Sequence, residues 1–370
     1  MSGPGAQRCR GCGSRPLIRV LDLGKAPAAD DFPMFDPAGV GVVTTHPLAM
    51  DLCRDCDLAQ LAEDDTVTAE PRGVEPQALR DQARDAVDRV AAAGLLPGGG
   101  TVREFGSPHG GSWLPLLTER GYAATAEAAD VVVDCFGIMH EPAQDIAFHE
   151  RHRAIGPEGV LLLQFHSLAA IVAQGQWNAL RHGHFAYYSL SALLERLRAA
   201  GMVAVRAWEF DLYGGTVLVA AARTGSRLAE SEPDASIARV LAAEAPLVTP
   251  DAVRGLQHAA DRRARALRSW LEAEAAAGQR VYAYGAASRA VALLHLAGVH
   301  RGLLAGVADA SPGKQGRQMP GTGIPIIAPA DLVAARPDRV LLTVPDLLGE
   351  VRARWPGLEG KWVIDVPDPP

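Results

Sequence analysis

Apolar positions along the chain recur with two periods, and their order predicts a mixed α/β protein. Leu79, Ala83, Val87, Val90 and Ala91 fall on one face of a helix over residues 76–95, and Leu96-Pro97-Gly98-Gly99-Gly100 then breaks the chain. Short apolar runs predict strands at 102–105, 130–134 and 159–163, with helical segments at 112–120 and 143–154 between them. The first strand ends in a glycine turn, Gly106 to Gly111, that leads into a helix, the opening of a nucleotide-type α/β fold. Ser189 caps and Gly201 stops a helix over 189–200. Strands at 202–210 and 217–221 follow with only a turn at Tyr213–Thr216 between them, so they must pair antiparallel. Residues 226–277 are helical and charged. Val253, Leu256, Ala260, Leu267 and Leu271 mark the buried face, and Arg262, Arg263 and Arg265 lie on a solvated one. After Gly278 a second α/β unit begins, with strands expected at 280–284, 303–308, 339–344 and 361–365.

Composition narrows the partners. The chain has 370 residues, enough for two or three domains, and a formal net charge of −7. An acidic balance argues against nucleic acid, whose binders usually show a basic face. No apolar run reaches the length of a membrane span, and the start, Met1-Ser-Gly-Pro-Gly, lacks the apolar core of a signal peptide. Of the five cysteines only Cys135 lies outside two C-x-x-C pairs, so no disulfide framework is expected and a reducing cytoplasm fits.

Those pairs are Cys9-Arg-Gly-Cys12 and Cys53-Arg-Asp-Cys56. Each supplies two thiolates from one tight turn, and four thiolates suit a tetrahedral zinc ion with no open coordination position. The metal is therefore expected to be structural. Arg10 and Arg54 would favour thiol deprotonation. Residues 1–70, with prolines at 27, 33, 37 and 47 and short apolar runs, read as a module that depends on the metal for stability. The domains expected are a zinc module (1–70), a helical connector (71–97), a central α/β domain (98–225), a helical linker (226–277) and a C-terminal α/β domain (278–370).

Several motifs resemble the sugar C-methyltransferases, which methylate a carbon of a nucleotide-linked keto-sugar in deoxysugar natural-product pathways. At the C-terminal end these are Tyr284-Gly-Ala-Ala-Ser-Arg-Ala290, Asp309 to Gly316, Pro320-Gly-Thr322 and Ile324-Pro-Ile326. At the N-terminal end they are the two knuckles with Leu21-Asp-Leu-Gly24, Pro47-Leu48 and Gln60-Leu61. The resemblance implies a zinc-knuckle module, a Rossmann-like class I methyltransferase domain ending in the antiparallel hairpin, and a C-terminal Rossmann-like domain. It also implies S-adenosylmethionine as cofactor, a small-molecule substrate such as a nucleotide-sugar, and a monomer or homodimer.

The same resemblance points to site residues, and the chain departs from the family pattern at several of them. The family's Glu-x-Gly-Ser-Asn-Asp-Gly is matched here by Glu104, Gly106, Ser107 and Gly110, without the Asn-Asp pair. His140 matches an Ala-His beside the cofactor. Family members carry a second strand ending in an acid that grips the cofactor ribose. Here only Gly121 to Ala129 intervenes, so a strand–helix–strand is expected to be missing, with Glu127 the candidate acid. The family's Tyr-His-Glu-His, whose Glu-His part is the catalytic base, reads Arg181-His182-Gly183-His184. His184 would be the base, since a histidine titrating near neutrality can take a proton α to a ketone, with His182 its neighbour on one extended face. Two such histidines also suit a metal pair, for which the chain offers no further ligands that can be placed. Tyr187, Tyr284, Ser288, Arg289 and Lys314 are expected at the substrate. A tyrosine-rich segment after the zinc module is replaced by Pro71 to Pro76. Besides methylation, the departures leave open altered proton-transfer chemistry (isomerisation or cyclisation) and a non-catalytic binding role.

Overall fold

The computed structural model describes residues 7–37, 43–66, 75–96, 98–106, 111–230, 232, 234–364 and 366. Ser107, Gly110 and most of the segment that replaces the tyrosine-rich stretch lie outside these residues. Among the described residues no helix is long and apolar enough to cross a membrane.

The N-terminal unit is a meander of β1 (Leu17–Ala26), β2 (His46–Cys53) and β3 (Ala59–Leu61), all antiparallel. The helical pattern after it forms α1 (Gln77–Ala92). The central domain then runs β4 (Gly100–Phe105), α2 (Leu114–Thr118), β5 (Tyr122–Ala124), β6 (Ala129–Cys135), α3 (Gln144–Ala154), β7 (Ile155–His166) and α4 (Leu168–Ala173). After β8 (Ala186–Tyr187) come α5 (Leu190–Ala199), β9 (Met202–Phe210) and β10 (Thr216–Arg223). Strand order in the central sheet is β5-β4-β6-β7-β10-β9, parallel from β5 to β7, with β10 antiparallel to both neighbours. The hairpin expected from residues 202–221 is thus present. Ser189 caps α5 by accepting from Ala192 N, and Gly201 ends the segment at φ 78°.

The second strand is not lost entirely. Tyr122–Ala124 pairs parallel with Gly100–Val102 as an edge strand of three residues. It must be this short, because residues 125–128 alone carry the chain from β5 across β4 to the start of β6, far fewer than a crossover helix needs.

Beyond α6 (Arg227–Glu230) and α7 (Ala235–Glu244), the 27-residue α8 (Pro250–Ala276) leads to the C-terminal domain. This comprises β11 (Val281–Tyr284), α9 (Ser288–Leu296), β12 (Val307–Ala308), β13 (Ile326–Ile327), α10 (Pro329–Ala334), β14 (Arg339–Leu342), α11 (Leu348–Arg354) and β15 (Trp362–Val363). All five strands are parallel in the order β13-β12-β11-β14-β15. The strand expected at 303–308 is paired only at its end, because Leu303 and Leu304 turn back onto the His300 carbonyl.

The three units share their cores. Cys9, Cys53, Cys56 and Leu58 pack with Phe136, Met139, Phe148, Tyr188 and Leu190 of the central domain. The inner face of β1–β3 packs on Leu168, Trp177, Val253, Leu256, Ala260 and Ala292, which come from α4, the turn after it, α8 and α9. The zinc module is therefore a wall of the whole molecule and not a free-standing bead.

Candidate active site between the three units

Cys9, Cys12, Cys53 and Cys56 bring their sulfurs within 4.8 Å of one another, with Cys9–Cys56 and Cys12–Cys53 each 3.6 Å apart. A tetrahedron with 2.3 Å metal–sulfur bonds separates its sulfurs by about 3.8 Å, so the donor set and its size fit zinc. Such spacings are far too long for a disulfide bond. Gly13 at φ 74° and Asp57 at φ 54° close the two turns, whose amides bond back to the Cys9 and Cys53 carbonyls. Arg10 also does a structural job beside the thiols. Its guanidinium reaches the Leu61 and Pro142 carbonyls and lies 4.8 Å from the Phe185 ring, pinning the knuckle to the central domain.

Residues 181–184 form a tight turn, with His184 N donating to the Arg181 carbonyl and Gly183 at φ 77°. Glycine is the residue that takes this conformation without strain. The zinc module clamps the turn at three places. Gly183 N donates to Asp64 Oδ2 at 2.7 Å, His182 Nε2 donates to the Pro47 carbonyl at 3.1 Å, and β8 pairs with β3.

The turn also separates the two histidines. His182 is buried beside His46 with its ring on the Pro47 carbonyl, and burial holds its proton affinity down. The shared face expected of an extended strand is absent, because a turn replaces the strand. His184 points the other way, into a cavity of about 200 Å³.

That cavity is lined from three directions. His166 and Tyr213 come from the central sheet, Arg181 and His184 from the clamped turn, and Ser288, Arg289, Lys314 and Asp346 from the C-terminal domain. Arg289 lies 3.7 Å from Asp346 and 5.4 Å from the Tyr213 ring. Lys314 is buried, donates to the Ala286 carbonyl at 3.0 Å and stands over Phe32. Arg181 Nη2 bonds His184 Nε2, and since arginine only donates, Nε2 is the acceptor and the neutral ring carries its proton on Nδ1. His140 packs edge-on against His184, with centroids 4.1 Å apart, and its Nδ1 donates to the Gly183 carbonyl at 2.8 Å. Burial, then the Arg181 charge, hold His140 at about 3, so it is neutral.

Of the residues expected at the substrate, Ser288, Arg289 and Lys314 meet here beside His184, the expected base, while Tyr187 and Tyr284 do not line the cavity. Tyr187 is buried, accepting from Arg181 N and donating to the Ala179 carbonyl, so it braces the turn from behind. The Tyr284 hydroxyl accepts from Trp355 Nε1 at 3.3 Å within the C-terminal core.

Of the expected cofactor residues, His140 packs against His184 at the cavity, while Glu104, Gly106 and Glu127 are not among the residues that line it. Glu104 accepts from Ser112 Oγ and Trp113 N, each at 2.6 Å, and so shapes the loop before α2. Gly106 is exposed at the tip of β4. β5 ends level with Val102, three residues short of the β4 tip, which is about 10 Å. Glu127, exposed on the connection that returns from β5, is therefore set back from the strand tips where a ribose carboxylate would stand.

Sequence reasoning missed His166, Gln176, Tyr213 and Asp346. A polar residue at the C-terminal end of an apolar parallel strand is the signal that marks His166, since ligands gather at those ends. Tyr213 (φ 55°) and Phe136 (φ 65°) both hold left-handed backbone, line the cavity and pack ring to ring at 5.9 Å. Such conformations in aromatic residues cluster at functional sites, but nothing in the sequence announces them.

Residues 211–367 match the family model "C-methyltransferase C-terminal domain", and residues 9–70 match "Putative zinc binding domain". The chain is similar to C-methyltransferase NovU of Streptomyces niveus, with 26% identity over 98% of this chain and 96% of that protein. Among solved structures, the 1,6-didemethyltoxoflavin-N1-methyltransferase of Burkholderia thailandensis covers 46% of this chain and 98% of its own, at 14% identity and a TM-score of 0.27. Magnesium protoporphyrin IX methyltransferase of Synechocystis covers 41% of this chain and 90% of its own, at 13% identity and a TM-score of 0.30. The resemblance read from the motifs thus holds at both ends of the chain.

Proposed function

We propose that this chain, which carries the zinc-binding and C-terminal domains of the C-methyltransferases, removes a proton α to the ketone of a nucleotide-linked sugar and methylates that carbon, with S-adenosylmethionine as methyl donor. The observation that carries this reading is the convergence of His184, Arg181, Arg289 and Lys314 on one cavity. Its size supports a sugar in particular. About 200 Å³ is small for a whole drug-sized ligand but suits one ring. A groove of about 670 Å³ shares Gln176, Asn178 and Arg289 with it and would take the nucleotide, leaving the diphosphate at Arg289.

Arg181 holds the Nε2 lone pair of His184. An anionic substrate would compete for that guanidinium and free Nε2 to take the α-proton. The C–H electron pair then moves into an enolate, whose oxygen the cationic wall stabilises. His140 fixes the turn by its bond to the Gly183 carbonyl.

S-adenosylmethionine supplies an electrophilic methyl group when bound. The described residues fit it in part: Gly106 is open at the β4 tip, but Glu127 is set back and Glu104 is engaged by Ser112 and Trp113. That misfit favours a second reading, in which the same proton transfer ends in isomerisation or cyclisation without methylation.

The test is incubation with a thymidine diphosphate 4-keto-6-deoxy sugar in D2O, with and without methyl-labelled S-adenosylmethionine, read by mass spectrometry. Methyl label on an α-carbon that has lost its only hydrogen, with deuterium at that carbon when the methyl donor is left out, supports methylation. Deuterium alone supports the second reading, and neither result sinks both. His184→Ala should slow the exchange by about 100-fold or more without changing the melting temperature.

A further inference from the structure

Tyr213 lines the cavity from the turn between β9 and β10, and among the described residues its hydroxyl has no hydrogen-bond partner. Arg289, Arg181 and Asp346, which line the same cavity, all act on that hydroxyl through their charge. Burial pushes it above the ordinary tyrosine value against the pull of Arg289, so it is a donor at neutral pH. The ring is held in place: it packs on Phe136 at 5.9 Å, and the Arg289 guanidinium lies 5.4 Å from its centre. Its backbone sits in the left-handed region at φ 55°, which costs a non-glycine residue about 1–2 kcal/mol. The turn sustains this because it is fastened on several sides. Gly214 N donates to the Asp211 carbonyl at 3.1 Å and Gly215 N to the Leu212 carbonyl at 3.0 Å. Ser167 N donates to the Gly215 carbonyl at 3.1 Å, and the Gln174 carboxamide bonds the Gly214 carbonyl. Strain that the surroundings enforce in this way gathers at functional sites.

We propose that Tyr213 is a catalytic residue whose hydroxyl donates to the ketone oxygen of the substrate and to the enolate oxygen formed from it. The inference deepens the proton-transfer reading above and rests on it. A single ring inside a cavity of about 200 Å³ lies within reach of both His184 and Tyr213. When His184 takes the α-proton, the C–H electron pair becomes a C=C bond and the carbonyl π pair moves onto oxygen. That oxygen gains charge, so its bond to the Tyr213 hydroxyl strengthens in the transition state and lowers the barrier. Tyr213 keeps its proton throughout. The carbonyl re-forms when the C=C pair attacks the methyl group or recaptures a proton. The nearby cations are each engaged already: Arg181 with His184, Arg289 with Asp346, and Lys314 with the Ala286 carbonyl. They set the field around the oxygen, and the hydroxyl supplies the directed donor.

The test is the rate of deuterium exchange into the thymidine diphosphate keto-sugar in D2O, for the full chain and for Tyr213→Phe, which keeps the ring and loses only the hydroxyl. The kcat of exchange should fall about 100-fold, the cost of removing one oxyanion donor. Affinity for thymidine diphosphate, read by titration calorimetry, and the melting temperature should not change. A difluorotyrosine at position 213, whose hydroxyl gives up its proton at lower pH, should retain exchange on the acid side and lose it at a lower alkaline pH than the wild type. A structural role for the ring predicts the same pH profile for both. Exchange in Tyr213→Phe at the wild-type rate overturns the inference, and so does an alkaline limb that the fluorinated ring leaves unmoved. Loss of exchange together with thymidine diphosphate affinity in Tyr213→Phe assigns the effect to the turn and overturns it as well. If the wild type itself exchanges nothing, the proton-transfer reading fails first and the role of Tyr213 falls with it.

Discussion

At the scale of single residues, three imidazoles lie in or against the cavity, and two of them are neutral because of where they sit. His140 and His166 take up a proton near pH 6.5 in the unfolded chain but only at about 3 in the folded one. Between those values the unfolded state binds more protons, so stability rises with pH through this window and is complete above about 6.5. Both rings keep some exposure, so the loss on going from pH 7 to pH 5 is on the order of 1 kcal/mol apiece. Melting temperatures of His140→Gln and His166→Gln, measured across that range, should each show a flatter profile than the wild type. A wild-type slope retained in both variants would rule out these rings as its source. Gly183 poses a second residue-scale question, since the family carries glutamate there. Its φ of 77° disfavours any side chain, while a Cβ would meet nothing within 4 Å. Gly183→Ala should therefore cost about 1 kcal/mol through the backbone alone, read as a small drop in denaturant midpoint at unchanged slope.

Elements decide which of these residues meet. The turn at 181–184 belongs in sequence to the central domain, yet its partners are Asp64 and Pro47 of the zinc module, and the next residues add β8 to that module's sheet. Asp64 also accepts from Thr66 N and Oγ1, at 2.9 and 2.7 Å, which orients the carboxylate toward Gly183. Asp64→Ala removes a charge-assisted bond worth about 1.5–3 kcal/mol. It should lower turnover of the exchange reaction about tenfold, with a melting shift of only a few degrees. Unchanged turnover would mean that β8 alone fixes the turn.

Elements also mark how far the sequence could be read. Strands β6, β7 and β10 follow from apolar runs, because each buries most of its residues in the central sheet, while β4 and β9, nearer the sheet edge, carry many half-buried positions. β5 and β13, of three and two residues, are too short to leave a period. The histidine pair misled for a physical reason: alternation implies a shared face only in extended chain, and the Gly183 turn breaks it. The motifs brought His184, Ser288, Arg289 and Lys314 to one cavity, but its remaining wall was illegible, since His166, Tyr213 and Asp346 join them only through packing of separate units.

At the scale of the molecule, the question is whether those units are separable. The knuckle cysteines share one apolar core with Phe136, Met139 and Tyr188, and the outer sheet shares another with α4, α8 and α9. Arg196 of α5 also bonds the Gly11 carbonyl inside the first knuckle. The four-cysteine site and the cavity share a wall: Met139 lies in the same core as the cysteines and lines the cavity. Zinc binding energy is therefore folding energy for the whole chain and not for residues 9–70 alone. Stripping the metal with a strong chelator, or Cys53→Ser, should lower the midpoint of one cooperative calorimetric transition. With a loss of roughly 5 kcal/mol and about 1–2 °C per kcal/mol in a chain of this size, the shift should be about 5–10 °C. The stripped protein should also lose affinity for thymidine diphosphate, because Asp64 and Pro47 no longer hold the turn that carries Arg181. A separate low-temperature transition, with the main one and nucleotide affinity unmoved, would instead make the zinc module an independent appendage. The cavity would then have to be held by the central and C-terminal domains without it.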